Sequence, residues 1–93
     1  MQKIMTVTLV LAMAGLAATA RADGPGGTAC AANLAADGKV IYAATVAARP
    51  TLDTLRAVVE HETRSLAMAD KIGRGEARDN AVAAGECLKI ALQ

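Results

Sequence analysis

The stretch Thr51 to Gly73, TLDTLRAVVEHETRSLAMADKIG, decides the fold class. At 100° per residue, Leu52, Leu55, Val58, Val59, Leu66, Ala69 and Ile72 gather in one arc of about 160°, as a helix with a single buried face requires. Arg56, Glu60 and Arg64 fall on the other side as consecutive i, i+4 pairs of opposite charge. Each such pair is worth ~0.2–0.5 kcal/mol and is typical of a solvated face. Thr51 suits the N-cap, Asp53 sets an anion in the first turn, and Gly73 is placed to end the helix.

Downstream, Gly73-Arg74-Gly75 reads as a turn and the segment from Glu76 to Leu92 as another helix. Glu76 and Asp79 near its start and Lys89 near its end match the helix dipole. Ala77, Ala81, Ala84, Leu88 and Ala91 form a stripe of mostly small side chains. Such a stripe lets two helix backbones approach closely, so it is expected to face the Thr51–Gly73 helix.

Upstream, Cys30 to Ala48 carries a helical stripe of Cys30, Leu34, Ile41, Thr45 and Ala48. Gly38 costs ~1 kcal/mol relative to alanine inside a helix, and Val40, Ile41, Thr45 and Val46 are β-branched. A turn at Asp37-Gly38 therefore stays open as an alternative to one continuous helix. Arg49-Pro50 ends the element, because proline disfavours helical geometry in the residue before it. Ahead of Cys30, residues 23–29 (DGPGGTA) contain three glycines and a proline and read as a flexible linker.

The first 22 residues, MQKIMTVTLVLAMAGLAATARA, read as an export address. Lys3 is followed by an uncharged apolar run from Ile4 to Ala20, and Ala20 and Ala22 flank Arg21 as a small-residue cleavage site requires. The run, diluted by threonine and glycine, falls short of the ~20 strongly apolar residues of a membrane span. The expected organisation is a cleaved signal peptide at 1–22, a Gly-rich linker at 23–29 and a small helical domain at 30–93. The expected location is the bacterial periplasm or the exterior, with no stable membrane association after cleavage.

Cleavage would remove Lys3 and Arg21, leaving eight Lys and Arg against nine Asp and Glu, a formal charge of −1. A near-neutral chain has no electrostatic reason to bind nucleic acid. Tyr42, the sole aromatic residue, offers no platform for stacking bases either.

After residue 22 the apolar residues comprise 17 alanines, two cysteines and 16 larger side chains. That core is thin for a domain that must offset on the order of 100 kcal/mol of conformational entropy. Cys30 and Cys87, in an oxidising compartment, are expected to supply the missing constraint as a disulfide. In a simple up-down-up bundle starting at Cys30, however, the two cysteines fall at opposite ends. The first segment is therefore expected to cross the hairpin obliquely or to break at Gly38. The fold class is accordingly all-α, an irregular three-helix arrangement in which an N-terminal helical segment is clipped to a helical hairpin.

Catalytic constellations are weak. His61-Glu62 is half of the zinc motif H-E-x-x-H, but position 65 is Ser. With one histidine in the chain and both cysteines expected to be bridged, zinc would need carboxylates or a second subunit. Glu62 falls inside the apolar arc and is the candidate functional acid, sensing pH or contacting a ligand. Its structural alternative is a pair with Arg49, Arg78 or Lys89, or a place at the open edge of the interface. Without a phosphate loop, a C-x-x-C pair or an EF-hand, the expectation is a non-enzymatic module without cofactor that binds a protein partner or itself. The alternative is a small-ligand or metal carrier using His61 and Glu62.

Overall fold

A computed structural model describes residues 25–93. The leader at 1–22 and the first two linker positions lie outside the described residues. The described chain is all-α, with α1 at Pro25–Ala31, α2 at Ala36–Ala47, α3 at Leu55–Met68 and α4 at Ala77–Leu92. α2, α3 and α4 alternate in direction as an up-down-up bundle, and α4 packs against all three other helices.

Cys30 and Cys87 form the disulfide, with Cα atoms 5.4 Å apart. The geometric conflict posed by the bridge is resolved by an extra helix. Cys30 lies in α1, which precedes the bundle and runs antiparallel to the last turns of α4, so that Gly26 meets Ile90 and Gly27 meets Ala91. The expected break occurs, but at residues 32–35 instead of Gly38. Gly38 is buried inside α2, where an added Cβ would lie 3.3 Å from the Leu34 Cβ.

The expectation of a flexible linker at 23–29 is corrected as well, since the chain is helical from Pro25. Proline is pre-organised for the first helical position, where its missing N–H has no partner to lose. Gly27 is buried, and a Cβ there would collide with Ala91 and with the Tyr42 hydroxyl. Here glycine provides for close approach of two helices, and α1 gains through tertiary contact what its seven residues cannot supply alone.

The core is Ile41, Tyr42, Leu55, Val59, Ile72, Ala84, Cys87 and Leu88, with Thr45 buried among them. Its hydroxyl is satisfied locally, donating to the Ile41 carbonyl at 2.8 Å. From the first predicted stripe, Ile41 and Thr45 are buried, Leu34 and Cys30 half-buried, and Ala48 exposed. The break at 32–35 shifts the helical phase between the two halves.

The N-cap of α3 is Thr54, with no side-chain cap bond, so Thr51 closes the turn ahead of the helix instead of capping it. The Thr51 N–H donates to Thr54 Oγ1 at 2.9 Å, while the Thr54 N–H donates to Thr51 Oγ1 at 3.3 Å. The reciprocal pattern is that of a capping box, with threonine in the place usually taken by glutamate, set one turn ahead of the helix. The helix ends earlier than Gly73, at Met68, with Ala69 as its C-cap and Asp70 next at φ 60°. The N–H of Asp70 donates to the Ala67 carbonyl and that of Lys71 to the Leu66 carbonyl, at 3.1 and 2.9 Å. These are the two bonds of a Schellman motif, with aspartate in the left-handed position glycine normally takes. Arg74 Nε reinforces the stop by donating to the Ala67 carbonyl at 3.3 Å. Gly73 has a different task, donating its N–H to Asp37 Oδ2 at 2.9 Å and so tying the α3–α4 turn to the first turn of α2.

Two outcomes follow. Reducing the disulfide, or replacing Cys30 and Cys87 by Ala, should lower stability by ~4 kcal/mol on the chain-entropy model for a loop of this length. Urea unfolding followed by circular dichroism reads this directly, and an unchanged midpoint would contradict the clamp. Asp70→Gly should raise stability by ~0.5–1 kcal/mol, because glycine relieves the left-handed strain and the exposed Asp70–Arg74 pair at 3.8 Å contributes little.

Candidate functional site

α2 covers one face of the α3–α4 hairpin. The other face carries an open groove of about 970 Å³, lined only by residues from Leu52 to Ala67 and from Ala77 to Gln93. Its depth follows from the sequence of α4. Ala77, Ala81 and Gly85 recur every four residues along one wall, so the wall is low where larger side chains would have closed it. Leu55 and Val59 form the floor and belong also to the core. Leu52 and Val82 stand on the walls with 53% and 60% of their surface exposed, although both are apolar.

Gly85 differs from Gly26, Gly27 and Gly38 because nothing lies within 4 Å of where its Cβ would be. It sits inside a helix, where glycine costs ~1 kcal/mol, and no contact among the described residues requires its smallness. The Thr63 hydroxyl, also on the groove lining, is buried without a hydrogen-bond partner among the described residues.

The rim is charged. On α3 it carries Arg56, Glu60 and Arg64, and on α4 Arg78, Glu86 and Lys89. Arg56 pairs with Glu60 at 3.7 Å and Lys89 with Glu86 at 3.6 Å. Among the described residues Arg64 and Arg78 form no ion pair. The charged face of the Thr51–Gly73 helix is thus solvated, as its pattern implies, and also borders an apolar trough. The α4 stripe is divided between neighbours: Ala84 and Leu88 are in the core, while Ala77 and Ala81 line the groove.

Comparison with protein-family models, curated proteins and solved structures found no match.

His61 is exposed and Glu62 half-buried, and neither lines the groove. Glu62 makes no ion pair among the described residues. Lys89, one of its expected partners, is engaged by Glu86. No three His, Cys, Asp or Glu side chains gather among the described residues, and no described helix is long and apolar enough to cross a membrane.

The groove was not visible in the sequence as a site. Its one available signal was Gly85 within the small-residue stripe of α4, and that pattern alone does not separate a packed face from an open one. If the space over Gly85 is free, Gly85→Ala should raise stability by up to ~1 kcal/mol, measured by urea unfolding. A loss of stability would mean that the position is packed.

Proposed function

We propose that this protein is an exported, non-enzymatic interaction module that holds a helix of a protein partner in the α3–α4 groove. The observation that carries the reading is Gly85, a helix-weakening residue in an open apolar trough with no close neighbour among the described residues. A helical hairpin covered on one face by α2 has room on the other for a further helix, packed ridge into groove. The exposed Leu52 and Val82 are the apolar side chains such a helix would cover.

The disulfide and the absence of a membrane-length helix among the described residues are compatible with a location outside the cytoplasm. Export by cleavage after Ala22 is part of the proposal and rests on the sequence pattern of the leader.

Photo-crosslinking in the producing cell tests both parts. A benzophenone amino acid at Val82 should yield a discrete adduct, while the same group at exposed Ala43 on α2 should not, and Gly85→Leu should suppress the Val82 adduct. Mass spectrometry of the product should show an N-terminus at Asp23 and two hydrogens fewer than the dithiol. Equal labelling at both positions, or none, would contradict the docking reading, and a retained leader would contradict export.

A further inference from the structure

We propose that the helix received by this groove is acidic along its flanks, with carboxylates directed at Arg64 and Arg78. This rests on the docking reading above and adds the chemistry of the partner. Charge is segregated across the molecule. The rim holds Arg56, Arg64, Arg78 and Lys89 against Glu60 and Glu86, a formal +2. From Asp23 onward the chain has eight cations and nine anions, so the residues outside the rim hold four cations and seven anions, a formal −3. The positive charge of an otherwise acidic chain is thus concentrated around its one described apolar trough.

Two of the rim cations each have an acidic neighbour on their own helix, Arg56 with Glu60 and Lys89 with Glu86, in exposed pairs. Arg64 and Arg78 remain, one on each wall, both exposed and both without an ion pair among the described residues. They lie toward the end of the groove where α3 finishes and α4 begins. An apolar stripe seated over Leu55, Val59 and Gly85 would therefore carry its flanking residues past two unengaged guanidinium groups. Glutamate or aspartate there gains attraction and bidentate hydrogen bonds, whereas lysine meets repulsion. The same charges disfavour a second copy docked face to face, since that arrangement opposes +2 with +2.

The test uses the disulfide-intact protein purified from the cells that make it, and two stapled helical peptides of roughly four turns. Both peptides carry the same narrow Ala/Leu stripe, flanked in one by Glu and in the other by Lys. Fluorescence anisotropy at low salt should show the Glu-flanked peptide binding about tenfold tighter, with the difference shrinking as salt rises. Arg64→Glu with Arg78→Glu should invert the order. Both positions are exposed, so the fold should persist, as circular dichroism will show. Gly85→Leu should weaken both peptides alike by filling the trough without changing a charge.

Binding of both peptides with equal affinity, or preference for the Lys-flanked one, would overturn the acidic-partner inference and leave the docking reading standing. Binding of neither would overturn both. In that event sedimentation distinguishes a dimer dispersed by Gly85→Leu, which would assign the groove to a second copy, from a monomer with no occupant.

Discussion

The covalent link from Cys30 to Cys87 is the constraint on which the arrangement depends. It joins a seven-residue helix, too short to persist alone in water, to the C-terminal half of the longest helix described. Cys87 is also part of the core, 2% exposed, beside Leu88, Ala84 and Ile41. The bridge thus does more than shorten the unfolded chain. It holds α1 where Gly26 and Gly27 can lie against Ile90 and Ala91, and where Gly27 meets the hydroxyl end of the only aromatic side chain. With so few bulky residues available, close approach of small ones becomes a main source of contact.

α4 is the element through which the other helices communicate. One side receives α1 and α2 and is closed, and another forms a wall of the groove and is open. The contrast between its neighbouring glycines and those of the rest of the chain makes the point. Gly27 is small because another helix is already close and Gly38 because Leu34 is, whereas Gly85 is small with nothing described near it. The rim charges follow the same division, with the arginines that form no ion pair among the described residues beside the open face and the chain's excess anions elsewhere.

Much of the fold was legible in local pattern. The Thr51–Gly73 periodicity placed Leu55, Val59 and Ile72 inside, and the dipole-matched charges located α4 to within one residue of its start. The start of α3 was legible only to within a turn, since Thr51 bonds to Thr54 ahead of the helix and Thr54 is the N-cap. The stop signals were less so. Gly73 was the obvious terminator by residue type, yet the chain turns left-handed at Asp70, which a Schellman motif and the Arg74 side chain hold in place. Leu52 and Ala69, both within the apolar arc, are exposed because they fall outside α3, one in the turn ahead of it and the other at its C-cap. Glu62 and His61 stood out by residue type and wheel position, but the groove lies along a different strip of the same helix.

By itself the sequence determined the all-helical class, the hairpin with its turn, and the one intramolecular pairing open to its two cysteines. These rest on spacing along the chain and on there being one intramolecular partner for each thiol. Only the tertiary structure decided that residues 25–31 form a helix, that the first segment breaks at 32–35 and keeps Gly38 buried, and that α2 leaves one face of the hairpin bare. The physical reason is that each of these depends on how closely two distant backbones approach. Glycine and alanine permit that approach wherever they occur, but do not say where it happens.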